Sequence, residues 1–117
     1  MSNVLFCMPI KENKMDSFRK FLTECLSGSK EKDYRDLLLR YEINTLRIWT
    51  HTIGGKNYAL YTHDMSENAG KLLEGWTQSS IPFDQWFKEQ LEDCYDIENM
   101  DEMPAQPVFF GDIDARN

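Results

Sequence analysis

Hydrophobic and polar positions follow different patterns in successive parts of the chain. Residues 3–10 are apolar at nearly every position, which is typical of a β-strand covered on both faces. From residue 11 the apolar residues recur every three or four positions, as along one side of an α-helix, and Ser27-Gly28-Ser29 separates this helix from a second one over residues 31–42. The sequence thus predicts a strand followed by two helices. Their apolar stripes are Met15, Phe18, Phe21, Leu22 and Cys25, and then Tyr34, Leu37, Leu38 and Tyr41.

The middle of the chain has the pattern of a β-hairpin. Residues 45–53 and 57–63 are rich in β-branched and aromatic side chains and flank Gly54-Gly55-Lys56. Two glycines suit the positive φ angles of a two-residue turn, whereas a one-residue slip of the turn would change every cross-strand partner. The pairs predicted for the two-residue turn are Ile53 with Lys56, His51 with Tyr58, and Trp49 with Leu60.

A second pair of helices and a last strand are predicted after the hairpin. Ser66 is a candidate N-cap for a helical stripe that continues to Trp76, and residues 79–82 interrupt the stripe. A further helix is predicted from Phe83, with Pro82 near its first turn, where a missing N–H costs little. Residues 108–110 are the late segment that supplies another strand. The predicted order is β-αα-β-β-αα-β.

This order is the ferredoxin-like β-α-β-β-α-β plan, an α+β fold with a four-stranded antiparallel sheet, here with a split helix in each crossover. Helices cover one face of such a sheet. Because residues 3–10 and 108–110 are apolar on both parities, the other face also needs a cover. Closed two-fold pairing is the commonest solution, so we expect a homodimer through the sheet face.

The predicted order, the aromatic hairpin around Gly54-Gly55-Lys56, and the segment Ser80-Ile81-Pro82 leading into Trp86-Phe87 resemble the dimeric α/β-barrel superfamily, specifically an uncharacterised bacterial branch of about this length. The resemblance extends over nearly the whole chain. It implies a dimeric α/β barrel. Because members of the superfamily include sugar mutarotases, cofactor-free monooxygenases, haem-degrading enzymes and stress-response proteins, it implies a shape and not one chemistry.

Composition and charge restrict the possible partners. A chain of 117 residues fits one domain, residues 1–117, and the net charge of −7 disfavours a nucleic-acid partner. No apolar run reaches the roughly 18 residues of a membrane span, and no export signal is recognisable, so we expect a cytoplasmic protein without a membrane partner. Cys7, Cys25 and Cys94 form no CxxC pair and are expected to be free, buried thiols.

The candidate chemistry lies on the hairpin. In the predicted register His51 shares a face with Arg47, Trp49 and Tyr58, so a base, a cation, a phenol and a stacking surface come together. A structural histidine bonded to Tyr58 or to backbone is the alternative interpretation. His63 precedes Asp64 at a strand end, either as an oriented acid–base pair or as a solvated one.

No metal or cofactor is predicted. The acidic residues from 93 to 102 lack calcium-loop or two-His-one-carboxylate spacing and are typical of a surface loop, and no nucleotide-binding or hydrolase motif is present. Trp86 belongs to a group of aromatic residues that either lines a cleft over the sheet or packs in the core.

Two functional hypotheses follow. The first is a protein that binds a small polar or aromatic ligand between sheet and helices. The alternative is a cofactor-independent enzyme, mutarotase-like or monooxygenase-like, with His51 as the proton-transfer residue. The candidate catalytic residues are His51 and Tyr58, and the candidate ligand-binding residues are Arg47, Trp49, His63 and Trp86.

Overall fold

Three antiparallel strands form the sheet of the computed structural model, which describes residues 2–96 and 110–116. Their spatial order is β1-β3-β2, so the third strand is central. Four α-helices and one 3-10 turn complete the mixed α+β fold of the described residues. The elements are β1 Ser2–Ile10, α1 Met15–Ser27, α2 Glu31–Arg40, β2 Ile43–Ile53, β3 Lys56–Met65, α3 Ala69–Leu73, the 3-10 turn Trp76–Gln78, and α4 Pro82–Cys94.

The hairpin has the register that the sequence predicts. Ile53 pairs with Lys56, and His51 pairs with Tyr58. Gly54 and Gly55 have φ angles of 57° and 79°. Residues with a Cβ rarely adopt this left-handed conformation, so the two glycines specify the turn.

Alternation along the strands divides the sheet into two faces. The helices pack on one of them, which we call the helix-covered face. The opposite one is the outer face. The helix-covered face includes Phe6, Met8, Ile10, Leu46, Ile48, Ala59, Tyr61 and His63. The outer face includes Leu5, Cys7, Arg47, Trp49, His51, Ile53, Tyr58 and Leu60.

The predicted apolar stripes form the core. Phe18, Phe21 and Cys25 of α1 are buried, and so are Tyr34 and Leu37 of α2. A Cβ on Gly28, which separates these two helices, would lie 2.9 Å from the Cα of Glu24, so only glycine fits this close approach. The predicted break between the helices therefore has a steric basis.

The second crossover differs from the prediction in two details. The sequence predicts a helical stripe that continues to Trp76, but α3 ends at Leu73 and Trp76 lies in a 3-10 turn. Gly75 is the residue before this turn, and glycine disfavours helix continuation. The N-cap residue of α3 is Asn68 and not the predicted Ser66. The Ser66 Oγ accepts a hydrogen bond from the Asn68 N–H at 3.2 Å, ahead of the helix.

After α4 the chain returns to the end of β1. The Lys11 N–H donates to the Cys94 carbonyl at 2.9 Å, and the Asp96 N–H donates to the Pro9 carbonyl at 2.9 Å. The predicted fourth strand, residues 108–110, lies outside the described residues except for Phe110, which is exposed and not in a strand. Among the described residues the sheet has three strands, and the fourth strand stays a prediction.

All three cysteines are buried and none is in a disulfide, as the sequence predicts. Along the part of the chain that the structure covers, no helix combines the length and apolar character needed to cross a membrane.

Candidate functional site

A cavity of about 240 Å³ lies between the helix-covered face of the sheet and the helices. The strands supply its floor, and the helices and the segment around the 3-10 turn supply its walls. Its lining is mainly aromatic and aliphatic. The lining residues are Phe6, Phe21, Leu22, Tyr34, Leu37, Leu38, Tyr41, Ile43, Leu46, Ile48, Tyr61, His63, Leu73, Trp76, Phe87, Leu91 and Tyr95.

Stacked aromatic pairs lie in both the floor and the walls of the cavity. Phe6 and Tyr61, on neighbouring strands, stack with their ring centroids 5.0 Å apart. Tyr34 of α2 stacks on Phe87 of α4, also at 5.0 Å. Such ring pairs contribute about 1 kcal/mol each beyond the area they bury. They fix the positions of the rings that a bound molecule would contact.

His63 is the cavity residue with an unpaired polar atom. Its ring centroid lies 5.7 Å from that of Phe6 and 5.2 Å from that of Tyr61. The Nδ1 atom is buried and has no hydrogen-bond partner within the described part of the chain. Burial lowers the pKa of His63 to about 4, so the imidazole is neutral near pH 7. A neutral imidazole has one N–H donor and one acceptor nitrogen.

Three tyrosines bring further polar atoms to the cavity without adding charge. Burial raises the pKa of Tyr61 to about 12 and also raises the pKa values of Tyr34 and Tyr95. Each of the latter two is also affected electrostatically by Tyr61, as expected for neighbouring hydroxyl groups. The phenols therefore stay protonated and uncharged at neutral pH.

A buried carboxylate joins two walls of the cavity. Asp84 of α4 is 1 % exposed and forms an ion pair with Arg40 at the end of α2. Its Oδ2 accepts hydrogen bonds from the Tyr41 hydroxyl at 3.2 Å and the Ser79 hydroxyl at 2.8 Å. The carboxylate is thus fully engaged within the protein, and Tyr41 connects it to the cavity lining.

Four of the predicted site residues lie on the outer face, away from the cavity. Arg47, Trp49, His51 and Tyr58 share this face, as the predicted register requires. His51 is exposed and Trp49 is 52 % exposed, whereas Tyr58 is buried. The structure therefore places these four residues on one face of the sheet, opposite the space between sheet and helices. The proton-transfer role of His51 stays a prediction.

Trp86 is also outside the cavity lining. Its ring packs against Phe21 and Phe83 with centroid distances of 5.6 and 5.5 Å, and the Lys30 ammonium lies 4.9 Å from the ring centroid. Trp86 is thus a partly buried residue that packs against the core from the helical layer. Of the six predicted site residues, His63 is the one in the cavity.

Sequence reasoning missed Phe6, Tyr34 and Tyr61 as site residues. The strand alternation contained a usable signal, because Tyr61 and His63 are two positions apart and must share a face. Which face the helices cover was the missing information.

Within residues 2–96 and 110–116, no group of three His, Cys, Asp or Glu side chains is arranged to hold a metal ion. Comparisons of the chain with protein-family models, curated proteins and solved structures found no match. The geometry of the cavity is therefore the basis for a functional assignment.

Proposed function

We propose that the protein binds a small, largely apolar molecule in the cavity between the sheet and the helices. The supporting observation is an aromatic cavity of about 240 Å³ that is lined by His63, a residue whose Nδ1 atom is buried and unpaired. Ligand sites are commonly apolar concavities with a few polar groups. An unpaired buried nitrogen is costly, by about 1–3 kcal/mol, so a ligand that pairs it gains affinity.

Two neighbouring leucines of α2 allow a matched test. Leu38 lines the cavity, whereas Leu39 is 62 % exposed. We expect Leu38→Trp to fill the cavity and abolish the binding of small aromatic fragments, and Leu39→Trp to leave it unchanged. Ligand-observed NMR with a fragment set measures both. If Leu38→Trp does not fold, Ile48→Phe fills the same space from the sheet side.

Fragment binding that survives both cavity-filling substitutions would place the binding site elsewhere on the protein. Failure of every fragment to bind the wild-type protein would remove the proposal itself.

We further propose that the chain pairs with a second copy through the outer face of the sheet, as its resemblance to the dimeric α/β-barrel superfamily implies. Support comes from the exposed apolar side chains on this face. Leu5 is 40 %, Trp49 52 % and Ile53 53 % exposed. Large exposed apolar patches commonly mark interfaces.

Sedimentation velocity tests the pairing. We expect the wild-type protein to sediment at twice the chain mass, and Trp49→Asp to sediment as a monomer because a charge would be buried in the interface. Leu39→Asp introduces the same group on an exposed helix position and is expected to leave the dimer intact. A monomeric wild-type protein at micromolar concentration would contradict the pairing.

A further inference from the structure

We infer that the molecule bound in this cavity is an uncharged aromatic compound of one ring or two fused rings that carries a hydroxyl group, with His63 as the residue that binds the hydroxyl. This assignment rests on the proposed ligand-binding function and specifies its ligand class. Size, charge and hydrogen bonding each contribute one restriction.

The volume of the cavity matches a ligand of one or two rings. A dry apolar cavity of about 150 Å³ is sufficient to bind benzene. The cavity found here, at about 240 Å³, has room for a substituted ring or a small fused pair. The ring walls formed by Phe6 with Tyr61 and by Tyr34 with Phe87 favour aromatic over aliphatic contacts, since ring pairs gain beyond their buried area.

The charge distribution excludes ionic ligands. Among the described residues that line the cavity there is no Asp, Glu, Lys or Arg. The nearby pair of Asp84 and Arg40 is already satisfied internally, with Tyr41 and Ser79 as additional donors. A carboxylate or ammonium ligand would lose its hydration without gaining a counterion, which is strongly unfavourable. The cavity therefore selects neutral molecules.

The hydrogen-bonding properties of His63 favour a hydroxyl. Neutral imidazole exists in two tautomers, so Nδ1 either donates or accepts a hydrogen bond. A hydroxyl group satisfies both cases because it donates and accepts, whereas a carbonyl or ether oxygen satisfies only one. Nδ1 is out of contact with solvent, and the imidazole ring packs beside the rings of Phe6 and Tyr61. Pairing with a ligand therefore requires the imidazole to turn about χ2, a broad torsion for this side chain.

Three probes of nearly equal shape test the effects of hydrogen bonding and of charge on binding separately. Para-cresol, para-xylene and para-toluate share a methyl-substituted ring and differ in one group: hydroxyl, methyl or carboxylate. In isothermal titration calorimetry at pH 7.5 we expect para-cresol to bind about tenfold more tightly than para-xylene, the effect of one additional hydrogen bond. We expect para-toluate to bind at least tenfold more weakly than para-cresol, because its charge has no partner in the cavity.

The two histidines of the chain provide the variant and its control. His63→Phe keeps a ring of similar size and is expected to bring the dissociation constants of para-cresol and para-xylene within twofold of each other. His51→Phe changes an exposed ring on the outer face and is expected to preserve the tenfold difference. If His63→Phe does not fold, the comparison of the three probes on the wild-type protein decides.

The possible outcomes test the ligand class, the role of His63 and the proposed function separately. Equal binding of para-cresol and para-xylene, or tight binding of para-toluate, overturns the assigned ligand class and leaves a ligand-binding cavity in place. A tenfold preference that persists in His63→Phe overturns the role of His63. Absence of binding for all three probes, while other fragments bind and are excluded by Leu38→Trp, overturns the aromatic hydroxyl class and retains the proposed function. Absence of binding for every fragment overturns both.

Discussion

The two faces of the sheet, built from the same three strands, carry one histidine each in opposite surroundings. His63, on the helix-covered face, lines a cavity and has a pKa of about 4 because it is buried. His51, on the outer face, is exposed and lies opposite Tyr58. Both residues are on the hairpin, so the chemical character of a strand residue is decided by which layer covers its face and not by the strand itself.

The largest expected difference between the faces concerns a buried charge. Ile48 and Trp49 are neighbours on β2, but Ile48 packs on the core and Trp49 is 52 % exposed. We expect Ile48→Asp to lower the free energy of unfolding by about 3 kcal/mol or more, because an unpaired carboxylate enters the helix-covered layer. Measured on the monomer, at a dilution that dissociates any dimer, Trp49→Asp is expected to lower it by less than half as much. Urea denaturation measures both, and equal losses would contradict the assignment of the faces.

The second-largest expected effect is the pH dependence of stability that the buried His63 causes. Above pH 6.5, the ordinary histidine pKa, His63 is neutral in both the folded and unfolded states and contributes nothing. Between pH 6.5 and its folded-state pKa of about 4, the unfolded chain binds a proton that the folded protein does not, so stability falls as the pH falls. Allowing for its partial contact with solvent, we expect a loss of about 2 kcal/mol.

Denaturation curves of the wild-type protein, His63→Phe and His51→Phe at pH 7 and pH 4.5 test this expectation. The three proteins share all other titratable groups, so the difference between proteins isolates each histidine. His63→Phe is expected to lose less stability on acidification than the wild-type protein, and His51→Phe is the control for replacing an exposed histidine on the same hairpin. Parallel curves for all three would show that His63 is not held neutral by burial.

The smallest expected effect concerns the turn that determines which hairpin residues share a face. Gly54 has a φ of 57°, and no neighbouring atom lies within 4 Å of the place that an alanine methyl group would take, so Gly54→Ala meets strain but no clash. We expect a loss of about 1–2 kcal/mol from the left-handed conformation alone. Gly111→Ala, in an exposed segment with open space around it, is expected to change stability by less than about 0.5 kcal/mol. Thermal unfolding compares the two, and equal stability losses would contradict a turn-specific effect.

The hairpin is a part of the fold that the sequence predicts correctly. The glycine pair specified the register, because only a two-residue turn uses two positive φ angles in this way. That register correctly placed His51 with Tyr58 and Trp49 on one face. The stripes of α1 and α2 were equally readable, since their spacing directly reflects the side of the helix that is buried.

The cavity was not readable in the same way. Strand alternation states that Tyr61 and His63 share a face, but the face that the helices cover depends on contacts between segments far apart in the chain. The ion pair of Arg40 with Asp84 is an example, as it joins residues 44 positions apart. A sequence pattern that covers one element at a time contains no such information. Four of the five candidate residues on the hairpin therefore lie on the outer face of the sheet, and His63 is the exception.

The carboxylate of Asp84 has a consequence for how a molecule reaches the cavity. Its bonds to Arg40, Tyr41 and Ser79 fasten the end of α2 to the start of α4, so these two walls are expected to move together. The five-residue α3, which brings Leu73 to the lining, is the shortest α-helix of the enclosure among the described residues. Opening at this helix, and not separation of α2 from α4, is then expected to set the rate at which a ligand enters and leaves.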